Sequence, residues 1–67
     1  MAGYKISVYY SARRHEVQVY NEHDGLLFTY DASDVPVGIL GDDNMLYKYT
    51  CEVFADTLND MEVPYED

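Results

Sequence analysis

A chain of 67 residues with 13 acidic side chains, only four Lys or Arg, and a formal charge of −9 projects a field that repels nucleic acid and anionic membrane and attracts basic proteins. Its 48% hydrophobic content is enough for one small domain with a thin core and argues against disorder. Lys5, Arg13, Arg14 and Lys48 are the only Lys or Arg residues, so 16–47 and 49–67 have none. The single cysteine, Cys51, excludes an internal disulfide framework. No stretch is long enough to span a bilayer and no secretory leader is expected at the N-terminus, so cytoplasm is the expected location.

The first half of the chain alternates with period two. In 4–10, Tyr4, Ile6, Val8 and Tyr10 share one face while Lys5, Ser7 and Tyr9 share the other. A connection through Ser11–Arg14 leads to a second alternating run at 15–20, with Val17 and Val19 inward. Asn21-Glu22-His23-Asp24-Gly25 reads as a turn, Gly25 being suited to positive φ, and 26–30 makes a third strand. Three sequential antiparallel strands form a meander with one face free to bury a helix. In 31–42, a short helical turn with Ser33 or Asp34 as its cap and a plain loop are both open, Gly38 and Gly41 oppose a long helix, and Val37, Ile39 and Leu40 are expected to pin the segment onto the core.

Asp42 or Asp43 suits the cap of one continuous helix over about 44–60. At 100° per residue, Leu46, Tyr47, Thr50, Cys51, Val53, Phe54, Thr57, Leu58 and Met61 fall on a broad apolar arc. Lys48, Tyr49, Glu52, Asp56, Asn59 and Asp60 stand opposite. Pro64 forbids helix continuation, so the acidic tail 62–67 is expected to be extended or frayed. The fold class is therefore α+β: a three-stranded antiparallel meander packed against one C-terminal helix, in a single compact domain over 1–67. Its expected core is Ile6, Val8, Val17, Val19, Phe28, Phe54 and Leu58. Phe54→Ala is expected to cost roughly 3–5 kcal/mol.

Glu52, Asp56 and Asp60 recur every four residues on that helix, about 6 Å apart along its axis. Like charges so spaced destabilise a helix, and Asp60 sits near the negative end of the dipole. The spacing approaches that of phosphates along a nucleic-acid strand and suits a groove lined by Arg and Lys. Glu22, Asp24, Asp31, Asp34, Asp42 and Asp43 lie mostly in turns and add to the same field.

Other chemistries find little support. Asp42-Asp43-Asn44 lacks the pattern of a calcium loop, and His15, His23 and Cys51 lack zinc spacing. Cys51 on the apolar arc reads as a buried, inert thiol. No serine has a base in a recognisable motif, and Gly38-x-x-Gly41 lacks the lysine of a phosphate loop. Catalysis, cofactors, metals and direct nucleic-acid binding are therefore not expected, two arginines being outweighed by thirteen acids.

In its small size, acidity, tyrosine content and lack of catalytic motifs, the chain resembles phage-encoded inhibitors of bacterial defence nucleases and related nucleic-acid mimics. That resemblance implies a CRISPR effector or a restriction enzyme as target and the host cytoplasm as location. The expected function is non-catalytic: to bind a basic nucleic-acid-handling protein and occlude its nucleic-acid site. Glu52, Asp56 and Asp60 would meet Lys or Arg, Asp42, Asp43, Glu62, Glu66 and Asp67 would extend the field, and Tyr49 would supply a desolvated anchor. A small accessory or assembly subunit and an acidic domain of a salt-adapted organism are the alternatives. Open sheet edges and surplus tyrosines also admit a homodimer.

Overall fold

Strand alternation and an acid-capped apolar helix build the architecture seen in the computed structural model, which describes residues 3–66. In chain order the elements are β1 (Gly3–Tyr4), β2 (Ile6–Ser11), β3 (Glu16–Asn21), β4 (Leu26–Asp31), a 3-10 turn (Ala32–Asp34), α1 (Val37–Leu40), α2 (Asp43–Val53), α3 (Ala55–Asp60) and β5 (Tyr65–Glu66). Strands β2, β3 and β4 form an antiparallel meander in that order, and β1 pairs with β5 in a separate two-stranded ribbon.

Register sets what each sheet face carries. Val8 pairs with Val19 and Val19 with Phe28, while Tyr10 pairs with Val17 and Val17 with Tyr30. This face meets the helices. The opposite face holds the rows Ser7–Tyr20–Leu26, Tyr9–Gln18–Thr29 and Ser11–Glu16–Asp31. Between Val19 and Tyr20 the register shifts, so that Tyr20 pairs with Leu26 and Leu27 is the extra residue. A bulge frees one side chain from strict alternation; here Leu27 joins Phe28 against the core around Leu58.

The core has two centres. Val8, Val17, Ala32, Val35 and Leu46 bury the first, with Ile39 and Leu40 packed against it. Tyr4, Leu58 and Val63 bury the second and tie the ribbon to α3. Val37, expected to pin its segment, is 86% exposed. Ile6, Phe28 and Phe54, expected in the core, are only half-buried. Thr50 is the buried polar residue, and its hydroxyl is 2.7 Å from that of Tyr30, so burial leaves neither group unpaired.

The structure corrects several local expectations. The run over 4–10 is interrupted at Lys5, whose N–H donates to the Pro64 carbonyl at 2.9 Å. In the turn, Asp24 takes the left-handed conformation (φ 63°) and Gly25 does not. Glycine is needed there because a Cβ would lie 2.9 Å from Asn21 Nδ2, and the Asn21 side chain is folded inward to accept the His23 and Gly25 N–H groups. Residues 31–42 contain the 3-10 turn and α1. Asp31 caps the turn by accepting from the Ser33 N–H at 2.8 Å.

The helix expected over 44–60 is two helices. Asp42 caps α2 by accepting from the Asn44 and Met45 N–H groups. The chain leaves helical geometry at Phe54 (φ −108°, ψ 24°). No Pro or Gly stands at the break; the Phe54 ring packs there on Tyr30 and Phe28, with centroids 4.5 and 5.3 Å away. The break also rotates the arc, leaving Val53, Thr57 and Met61 exposed.

The tail, expected to be extended or frayed, is extended at its end and anchored. The Val63 N–H donates to the Leu58 carbonyl and the Glu62 N–H to that of Asn59, with Glu62 at φ 58°. This is the Schellman closure of a helix, and Val63 supplies its hydrophobic contact with Leu58. Tyr65 and Glu66 then pair with Tyr4 and Gly3.

Candidate functional site

Most of the expected acidic residues lie on α2, α3 and the residues flanking them. Glu52 is near the end of α2, Asp56 in the first turn of α3, Asp60 at its last position, and Glu62 just beyond. All four are exposed, as are Asp42, Asp43 and Glu66. The break at Phe54 lies between Glu52 and Asp56, so the three acids follow two short helices rather than one continuous row. Asp67 lies outside the described residues.

Their electrostatic setting is sparse in counter-charge. Every described acidic residue except Glu16 is exposed. Among the described residues no Asp or Glu meets a Lys or Arg within 4.0 Å, and the one contact of an acid with a basic side chain is Glu22 Oε1 with His23 Nε2 at 3.9 Å. The molecule measures 29 × 21 × 18 Å, roughly two to four screening lengths across at physiological salt, at about 8 Å each. Exposed acids less than one such length apart act together on an approaching charge, and more distant ones are largely screened from each other.

Some of these acids also have local roles. Asp42 caps α2, and Asp43 and Asp56 lie in first turns, where an acid complements the helix dipole. Hydrogen bonds from Ser33 lower the Asp31 carboxyl pKa. Glu52 and Asp60 lie toward helix C-terminal ends, and neither α2 nor α3 has a basic residue in its last turn.

Tyr49 is tethered rather than free. Its hydroxyl donates to the Asp34 carbonyl at 3.2 Å and its ring is half-buried against the Leu46 core. The exposed tyrosines are Tyr9 and Tyr65, each at 56%. Tyr9 stands edge-on to Tyr20, centroids 5.7 Å apart, on the outer sheet face. Tyr65 stands edge-on to Tyr4 at 4.9 Å.

A groove of about 350 Å³ runs between the β1–β5 ribbon and the helices. Tyr4 and Tyr65 wall it on one side, Tyr47, Cys51 and Ala55 on the other, and Lys48 and Glu52 also line it. Cys51, expected to be buried, is half-exposed here. Tyr47 donates to the Tyr4 carbonyl at 2.7 Å, and a Cβ on Gly3 would collide with its hydroxyl. Burial first, then the Cys51 thiol and the Tyr65 and Glu66 side chains, push the Tyr47 hydroxyl pKa up to about 12.

Among the described residues no helix is long and apolar enough to cross a membrane, and no three His, Cys, Asp or Glu converge as a metal site. Comparison with protein-family models, curated proteins and solved structures gives no match.

Proposed function

We propose that the protein is a non-catalytic acidic inhibitor that binds a basic nucleic-acid-handling protein and occludes its nucleic-acid site. The observation that carries this reading is the exposure of the acids on α2, α3 and the segment after them without a Lys or Arg partner. Carboxylates without a Lys or Arg partner among the described residues are available to a partner's cations, and the charge of −9 speeds the encounter. A phage-encoded inhibitor of a CRISPR effector or a restriction enzyme, acting in the host cytoplasm, fits this reading by resemblance of size and charge.

The test reverses Glu52, Asp56 and Asp60 to Lys. All three are exposed, so the fold should persist while affinity for the partner falls at least about tenfold, mostly through slower association. Wild type and triple variant serve as matched baits in host lysate, and retained proteins are assayed for nucleic-acid binding with and without the inhibitor. Retained proteins whose nucleic-acid binding is unchanged would overturn the proposal.

The outer sheet face favours a second reading, an accessory subunit. Its rows Ser7–Tyr20–Leu26 and Tyr9–Gln18–Thr29 carry no charge, and interface centres are depleted of charge and enriched in tyrosine. Under that reading Tyr9→Lys abolishes capture while the triple reversal leaves it intact.

A further inference from the structure

We propose that the groove between the β1–β5 ribbon and α2 receives an arginine side chain presented by the basic partner. The source of the arginine rests on the inhibitor reading; the specificity of the groove rests on its own construction.

Its walls are aromatic and held in place. Tyr47 is fixed by its hydrogen bond to the Tyr4 carbonyl and fits there because Gly3 has no side chain. Tyr4 is held from its far end, its hydroxyl donating to Asn59 Oδ1 at 2.7 Å. Tyr65 packs edge-on to Tyr4 yet remains 56% exposed. Rings already ordered lose little freedom when a ligand arrives. At about 350 Å³ the space lies near the lower end for small-ligand sites, the scale of one long side chain rather than a cofactor.

Charge selects the occupant. Glu52 is the carboxylate that lines the groove. Lys48 is the opposing charge; it stands one turn before Glu52 without an ion pair to it among the described residues, leaving that carboxylate open. A carboxylate without an ion pair beside tyrosine rings, in a chain of charge −9, favours a cation with a flat, stackable surface. Guanidinium meets that description better than ammonium, being planar, weakly hydrated and forked toward carboxylates.

The test needs no partner protein. Acetyl-Gly-Arg-Gly-amide is titrated into the isotope-labelled full chain, beside peptides with Lys, Glu or citrulline in place of Arg. The expected result is a saturable shift of the Tyr47, Cys51, Glu52 and Tyr65 amides with the arginine peptide, weaker binding of lysine, and none of citrulline or Glu. Tyr65→Ala and Glu52→Gln should each weaken binding roughly 2–5-fold, while Tyr65→Phe, which keeps the ring, should bind as wild type.

No saturable shift at the groove, or lysine or Glu equal to arginine, overturns the proposal. So does sedimentation showing self-association that Arg13→Ala/Arg14→Ala abolishes, because the occupant is then a second copy. Failure of the peptide leaves the inhibitor reading standing. Failure of the lysate and nucleic-acid experiment leaves the peptide result standing.

Discussion

Leu58→Ala should remove a large share of the stability of this domain, whereas Leu26→Ala should scarcely change it. The two substitutions delete the same atoms, but Leu58 is 0% exposed and Leu26 is 58% exposed. Leu58 sits among Tyr4, Val63, Leu27, Phe28, Cys51 and Ala55, drawn from β1, β4, both longer helices and the segment leading to β5, so no single element can close over the void. A buried Leu→Ala change costs about 2–5 kcal/mol where the site cannot collapse. At roughly 0.05–0.15 kcal/mol per residue, a domain of this length has about 3–10 kcal/mol in total. With a urea slope near 1 kcal/mol/M, the midpoint should drop by roughly 2 M or more. Leu26→Ala should stay within about 0.5 kcal/mol. Equilibrium urea unfolding of both variants, followed by far-UV circular dichroism, makes the comparison. Equal midpoints would refute the assignment of the second core and, with it, the anchoring of β5.

Phe54→Ala should cost about 2–3 kcal/mol by the same assay, below the ~3–5 kcal/mol of a fully buried ring, because Phe54 is only half-buried. Asp42→Ala should cost about 1 kcal/mol, mostly as lost amide protection at the start of α2, since Asp42 accepts from Asn44 and Met45 there. Glu62→Gly should stabilise by about 1 kcal/mol while Glu62→Gln does not, because the gain comes from relieving positive φ (58°) rather than from removing charge; paired urea curves separate the two. The Tyr47 hydroxyl, pushed up to about 12, should contribute stability that is full below about pH 10, the unfolded value, and lost as pH rises through the folded one. Denaturation curves at rising alkaline pH should fall more steeply for wild type than for Tyr47→Phe.

Residue order revealed the meander because its signal is local. Val17 and Val19 alternate with polar neighbours, and both are 0% exposed. Leu46, Thr50 and Leu58 likewise lie at helical spacing and are buried. Features set by contacts between distant residues were not visible in the same way. The break at Phe54 accompanies rings from β4 that arrive only in the folded state, and local propensity gives no stop there. The β1–β5 ribbon joins the two ends of the chain through two residues each, too few for a strand signal. The groove depends on that ribbon, so Tyr65 could not be placed in it from order alone. Tyr49 was legible as a helix residue, but its tether to the Asp34 carbonyl depends on the path of a segment with weak periodicity.

The acids divide by what the fold asks of them. Asp31 and Asp42 cap, Asp43 stands in a first turn, and Asp24 accepts a left-handed backbone that short polar side chains tolerate. These would be expected in any small domain. Glu52, Asp60 and Glu62 are different. Glu52 and Asp60 lie toward the ends of helices whose last turns hold no base, and Glu62 occupies the Schellman position where glycine is preferred. Each arrangement works against stability in a chain that, at this length, has little to spare. Glu52, which lines the groove, belongs to both proposals, whereas Asp60 and Glu62 belong only to the wider field. Substituting the first group should therefore change unfolding, and substituting the second should change binding. A set of variants in which both groups moved only stability would remove the reason to assign these acids a partner.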